Sequence, residues 1–233
     1  MLVLGISSAT KLIGVSLIDD ESIISEYSVL GGTSEDIVPY IDLTLEKAGV
    51  PLKKISCISV ATGPGSYGGL RGGIAVAKTL SQTMGVSLVS VSTLEAIAYN
   101  LIEIDGTIFA VLDACKEDFN LALFASKNKN LNRLTDDMVL SLDKIIGTLS
   151  KIKGEAYLVC PHPGLTGRFL EAAPSTNIKI VPQAKSWPSA VNVALIGLAR
   201  FKKGETEDYL TLIPHYSHKP NIREYKGPSK AEI

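Results

Sequence analysis

The order of apolar runs and turn-forming residues predicts an α/β protein made of two duplicated lobes. Three short strands joined by tight connections open the chain, and helices and strands alternate after them. A looser copy of the same series follows. The predicted lobes are residues 1–104 and 105–213, with an extended tail at 214–233. The last helix of the second lobe is expected to pack back on the first lobe.

The elements of the first lobe follow from apolar periodicity and from residues that begin or end helices. Thr33 or Ser34 can cap one helix, which Gly49 and Pro51 end. A Ser-x-x-Glu capping box begins another helix at Ser92. Strands are predicted at residues 2–7, 13–18, 22–29, 55–61 and 86–91. Helices are predicted at residues 34–48, 67–84 and 92–101.

The second lobe repeats this pattern with weaker signals. Strands are predicted at residues 107–113, 119–126, 155–160 and 178–181. Helices are predicted at residues 142–152, 165–173 and 186–203. The last helix has Val191, Leu195 and Leu198 on one side, which is typical of a helix that buries one face.

The composition excludes several classes of protein. Among the 233 residues, 23 Lys and Arg balance 24 Asp and Glu, so bulk charge alone cannot bind nucleic acid. No stretch approaches the roughly 18–20 apolar residues that a membrane-spanning helix needs. Cys57, Cys115 and Cys160 are widely spaced, which favours a reducing compartment over a disulfide framework or a zinc site. The apolar N-terminus is too short for a signal peptide, so a cytoplasmic protein is expected.

Residues 61–77, ATGPGSYGGLRGGIAVA, form the most informative segment. They follow a predicted strand and begin a helix, where free N–H groups favour an anion. Gly63, Gly65 and Ser66 are therefore candidate contacts for a phosphate or another anion. The match to G-x-G-x-x-G does not indicate a Rossmann fold, because it follows the fourth strand and no acidic residue ends the next one. A P-loop is excluded because no Gly-Lys-Ser/Thr follows.

Small residues dominate the helix that follows this turn. Gly69, Gly73 and Ala77 are four residues apart and share one face, although each glycine costs a helix about 1 kcal/mol relative to alanine. This face can pack on the protein's own sheet, or a partner helix can dock there, and the sequence supports both equally. The docking interpretation predicts a surface on two helices of the first lobe. Its residues are Gly69, Leu70, Gly72, Gly73, Val76 and Ala77, together with Ile37, Ile41 and Leu45.

Residues 62–73, TGPGSYGGLRGG, resemble the T-G-P-G-S-F-T-G-L-R-x-G segment of the TsaB (YeaZ) family. LGISSAT at 4–10, VSTLE at 91–95, VLDA at 111–114 and IPHY at 213–216 resemble further family markers, so the similarity covers almost the whole chain. The resemblance implies a two-lobed fold of the actin/Hsp70 (ASKHA, ribonuclease H-like) group, without the metal site of TsaD. It also implies a non-catalytic role beside TsaD, which installs the threonylcarbamoyl group on the adenosine next to the tRNA anticodon.

The resemblance further implies a set of partners. These are a TsaD-like protein, a TsaE-like ATPase, a second copy of the chain when it is alone, and tRNA through the complex, with no membrane. The isolated chain is expected to hold no cofactor tightly, and ATP or ADP is expected at the partner interface. Ser7, Thr33 and Cys115 depart from the family's Asp, His and Arg, which argues against nucleotide chemistry and leaves the docking helix unaffected.

Two enzymatic alternatives remain. One is a stand-alone ATP-binding phosphotransferase or ATPase of the same fold, and the other is a glycoprotease, an old label for this superfamily. The glycine turn and an acidic residue in the expected cleft support the first. Its candidate nucleotide or anion contacts are Gly63, Gly65, Ser66, Arg71 and Asp113. A non-catalytic role is preferred, because no lysine follows the turn and no metal-ligand set or nucleophile–base pair can be assembled.

Overall fold

The computed structural model describes residues 1–114, 117–150, 152, 154–172 and 178–217. Within these ranges the chain forms two mixed β-sheets with helices on both faces, which confirms the predicted two-lobed α/β fold. Cys115 and the tail residues 218–233 lie outside the described part of the chain. Among the described residues, no helix is long and apolar enough to cross a membrane.

The first sheet begins with the N-terminal strands. It contains β1 (Leu2–Ser7), β2 (Leu12–Asp19), β3 (Ser22–Leu30), β4 (Cys57–Gly63) and β5 (Ser87–Ser92). Their spatial order is β3-β2-β1-β4-β5, with β1, β2 and β3 antiparallel and β4 and β5 parallel to β1. Because both faces of the sheet are covered, β1 and β4 are almost wholly buried.

The second sheet repeats this arrangement. It contains β6 (Gly106–Asp113), β7 (Asp118–Lys127), β8 (Asn130–Arg133), β9 (Met138–Ser141), β10 (Ala156–Val159) and β11 (Ile178–Ile180). The order is β11-β10-β6-β7-β8, with β9 also paired to β7. β6 and β7 are antiparallel, whereas β10 and β11 run parallel to β6. The sequence does not predict β8 and β9, because each has four residues without alternating burial.

The helices of the described residues are α1 (Ile37–Ala48), α2 (Tyr67–Met84), α3 (Thr93–Ala98), α4 (Leu142–Leu149), α5 (Pro163–Ala172) and α6 (Ala190–Lys202). α1 and α2 lie on one face of the first sheet and α6 lies on the other. α3 covers one face of the second sheet, and α4 and α5 cover the opposite face. α6 begins later than predicted, because Pro188 disfavours helix at the preceding residue and Ser189 caps the helix by accepting a hydrogen bond from the Asn192 N–H (3.1 Å).

Helix α2 packs its glycine face against the turn between β1 and β2. The Ser8 hydroxyl donates a hydrogen bond to the Gly69 carbonyl (2.8 Å), and a Cβ atom at Gly69 or Gly73 would overlap atoms of Ser8. Ala77, one turn further along, is fully buried in the core of the first lobe. This stripe therefore packs on the protein's own chain. The prediction that Gly69, Gly73 and Ala77 receive a partner is wrong.

This packing predicts different effects at two neighbouring glycines. We expect Gly69→Ala to lower the free energy of unfolding by about 2 kcal/mol, because the new methyl group must displace the Ser8 carbonyl. We expect Gly68→Ala to leave it unchanged or to raise it by up to about 1 kcal/mol, because that position is open and alanine favours a helix. Urea unfolding measures both variants. Equal effects at the two positions would contradict the packing.

Candidate functional site

The side of α2 opposite the glycine contact is open and consists mostly of small residues. Gly68, Ala75 and Thr79 are exposed there, and the exposed Arg71 lies between them. A Cβ atom at Gly68 would have no neighbour within 4 Å. We term these four residues the α2 ridge. Such a ridge permits close approach by another backbone, because few side-chain atoms stand in the way.

The chain before α1 borders the ridge on one side. Gly72 of α2 packs so closely against Ser34 that a Cβ atom at Gly72 would overlap the serine side chain. Val76 lies one turn after Gly72 and therefore on the same side of α2. Both residues are partly exposed, so these two members of the predicted docking surface form the edge of the open face.

Residues 205–217 border the ridge on the other side, and we term them the C-terminal strap. Backbone hydrogen bonds to β5 and β4 hold the strap near its two ends (2.8 and 2.7 Å). Between these points the Lys78 ammonium, from α2, donates to the Leu212 carbonyl (3.0 Å). The Tyr216 ring stacks on Tyr67 with a centroid distance of 5.1 Å. The strap therefore follows α2 along the flank away from α1.

Charge is divided between the two helices of this face. α2 carries Arg71 and Lys78 and no acidic residue. The turn before α1 and α1 itself are mainly acidic, with Glu35, Asp36, Asp42 and Glu46 against Lys47. The Arg71 guanidinium lies over the Tyr67 ring at 4.5 Å, and within the described residues it forms no ion pair. Its charge is therefore available to a carboxylate of another molecule.

Most of the predicted docking residues are buried within one copy of the chain. Leu70 packs with residues of α3 and α6. Ile37, Ile41 and Leu45 turn towards the first sheet, because α1 buries its apolar face there. The prediction that these four side chains form a docking face is wrong. The open surface lies further round α2, at the ridge.

A cleft of about 590 Å³ lies between the two lobes, within the size range of small-molecule sites. Three of the predicted anion contacts, Gly65, Ser66 and Asp113, line this cleft. The other two lie elsewhere, since Gly63 packs under the C-terminal strap and Arg71 lies on the ridge. Lining residues that were not predicted include Lys11, Leu112, Gln183 and Trp187. The sequence gives little indication that these residues line a cleft, because they share only a position in turns or at strand ends.

Some polar groups near the cleft are already used by the fold. The buried Ser7 hydroxyl donates a hydrogen bond to the Pro188 carbonyl (2.7 Å). Burial raises the pKa of the Cys160 thiol, beside the lining residue Pro161, to about 12, so it is not a nucleophile near neutral pH. Burial also raises the pKa of the Cys57 thiol to about 12, and Cys57 lies at the end of β4 away from the cleft. Among the described residues, no three His, Cys, Asp or Glu side chains converge as a metal site.

Known proteins resemble this chain over most of its length. The model of the family described as TsaD, tRNA N6-adenosine threonylcarbamoyltransferase, matches residues 32–211. The chain belongs to the TsaD family. The tRNA threonylcarbamoyladenosine biosynthesis protein TsaB of Bacillus subtilis is 28% identical over 219 residues, which cover 93% of each chain. YeaZ from Pseudomonas aeruginosa has a TM-score of 0.75 and 17% identity, covering 92% of this chain and 100% of its own.

Within the TsaD family the chain is of the TsaB (YeaZ) type. It has a TsaB-like role in tRNA threonylcarbamoyladenosine biosynthesis. The ROK hexokinase of Thermus thermophilus shares the fold at a TM-score of 0.52 and 12% identity, over 88% of this chain and 100% of its own. These similarities confirm the predicted actin-like fold class.

Proposed function

We propose that this chain is a non-catalytic subunit that docks on the TsaD-type enzyme and supports it in tRNA threonylcarbamoyladenosine synthesis. The α2 ridge carries the proposal, because the helix is firmly packed on one side while its other side is small and open. The family match supports the pathway. The Ser7 hydroxyl, beside the cleft, is already bonded to the Pro188 carbonyl, which supports a role without chemistry of its own.

The α2 ridge suits a helix of another protein better than a small ligand. Gly68, Ala75 and Thr79 are small residues, so a second helix can come close and gain dispersion contacts along the length of α2. A small ligand would instead need a concave site. Arg71 offers its planar guanidinium to a carboxylate of the partner.

The same surface supports self-association when the partner is absent. Across a two-fold axis, the basic α2 of one copy can face the acidic α1 of the other, so two copies offer complementary charges. A TsaD-type protein that binds more tightly replaces the second copy by mass action. In this arrangement a TsaE-like ATPase and tRNA join through the complex, in the cytoplasm.

Ala75→Arg tests docking at the centre of the ridge. Because Ala75 is exposed and arginine is a good helix former, we expect the fold to be retained. We expect the affinity for the TsaD-type protein of the same organism to fall at least about a hundredfold, since the contact would have to bury a guanidinium. Isothermal titration calorimetry measures the affinity, and thermal unfolding checks the fold.

Gly167→Arg is the matched control for this variant. Gly167 is an open, exposed position on α5 of the second lobe, where a new side chain meets no neighbour within 4 Å. This control should bind the TsaD-type protein as the unchanged chain does. Undiminished binding by a folded Ala75→Arg variant would contradict the docking role.

We propose that the isolated chain binds nucleotide weakly or not at all. ATP or ADP binds at the interface with the TsaD-type protein. Lys11 and His162 are the basic side chains among the described lining residues of the cleft. Tight triphosphate sites usually add several positioned cations or a metal ion. The Ser7 hydroxyl, next to the cleft, is already bonded to the Pro188 carbonyl.

Trp187 makes this part of the proposal measurable. It lines the cleft and is the single tryptophan of the chain, so its fluorescence reports on that site alone. We expect Mg-ATP to leave the fluorescence of the isolated chain unchanged. Acrylamide is the positive control, because it should quench the partly exposed ring. A saturable response to Mg-ATP would contradict this expectation and favour the phosphotransferase alternative.

A further inference from the structure

Leu210 and Ile213 are the most exposed large apolar side chains of the described residues, at 70% and 74%. Both belong to the C-terminal strap. Single exposed hydrophobic residues are common on protein surfaces, so exposure alone does not identify an interface. Two further observations distinguish this pair, namely how firmly the strap is held and what lies beside it.

The strap is fixed at several points along its length. Its backbone bonds to Leu88 near one end and to Thr62 near the other (2.8 and 2.7 Å). Between them, the Lys78 ammonium donates to the carbonyls of Leu210 and Leu212 (3.5 and 3.0 Å). The Leu212 side chain is buried in the first-lobe core. The neighbouring apolar side chains are thus held outward in advance, which reduces the entropy lost when a partner binds them.

The strap and the α2 ridge border each other. Lys78 belongs to α2, and Tyr216 stacks on Tyr67 at the first residue of α2, so the strap is tied to the helix at two points. Along the sheet, α1 packs on β2 and β3, α2 on β4, and the strap on β5. The ridge therefore lies between α1 and the strap. A helix that crosses the ridge also meets the outward side chains of the strap.

We propose that the C-terminal strap is part of the surface that binds the TsaD-type partner, with Leu210 and Ile213 as its apolar anchors. The inference rests on the proposed function and extends it to a segment outside the two helices of the predicted docking surface. The occupant is one amphipathic helix of the partner, whose apolar side lies across ridge and strap. Because α2 contributes Arg71 and Lys78 without an acidic residue, this helix carries carboxylates on the side that faces α2, away from Glu205, Glu207 and Asp208 of the strap.

The test replaces the two anchors in the full chain. We expect Leu210→Ser and Ile213→Ser each to weaken binding of the TsaD-type protein about tenfold, and the double variant about a hundredfold, because buried apolar area is lost. Leu170→Ser and Ile23→Ser are matched controls, since these side chains are also exposed, at 60% and 58%, and lie on α5 and β3. The controls should bind with unchanged affinity. Calorimetry measures binding, and thermal unfolding confirms that all variants fold.

The outcomes separate this inference from the proposed function. If the strap variants bind normally while Ala75→Arg loses binding, the strap inference is wrong and the docking role stands. If Ala75→Arg also binds normally, both are wrong. If the strap variants weaken self-association and leave partner binding unchanged, a second copy covers the strap and the inference is overturned. Tighter binding of the TsaD-type protein by the strap variants would overturn it as well. It would mean that another segment of this chain covers Leu210 and Ile213 and competes with the partner.

Discussion

Because Gly69 and Gly73 have no side chains, helix α2 lies directly on the turn after β1. The packing of the first lobe depends on that contact. Ser8 occupies the space where Cβ atoms would be, and its hydroxyl donates to the Gly69 carbonyl (2.8 Å). Glycine costs a helix about 1 kcal/mol per residue, so this tertiary packing must offset the penalty. Once the glycine face is fixed inward, Ala75 points outward. One contact thus determines both what α2 buries and what it offers to a partner.

Two side-chain hydrogen bonds hold the wall of the cleft that contains Trp187. The Ser7 hydroxyl donates to the Pro188 carbonyl (2.7 Å), and the Asn100 side-chain amide donates to the Trp187 carbonyl (2.8 Å). These bonds fasten the segment before α6 to the first lobe. They also satisfy buried polar atoms that would otherwise be costly to leave unpaired.

The sequence predicts the first lobe almost element by element, because its strands and helices have strong periodicity and clear caps such as Ser92 and Gly49. It does not predict which side of α2 faces inward. Small residues occupy both sides of that helix, so helical periodicity cannot distinguish the row of Gly69 from the row of Ala75. Ser8, 61 residues before Gly69, makes the difference. The strands β8 and β9 are too short for a clear apolar pattern, and the cleft lining depends on contacts between distant segments, which no local pattern records.

The structure of the complex between this chain and its TsaD-type partner is the most direct test. Crystallography or cryo-electron microscopy would show which surface of α2 the partner covers. We expect a partner helix to cover the α2 ridge, while Gly69 and Gly73 remain against Ser8. A complex in which the ridge stays exposed to solvent, with the partner bound elsewhere on the chain, would contradict it.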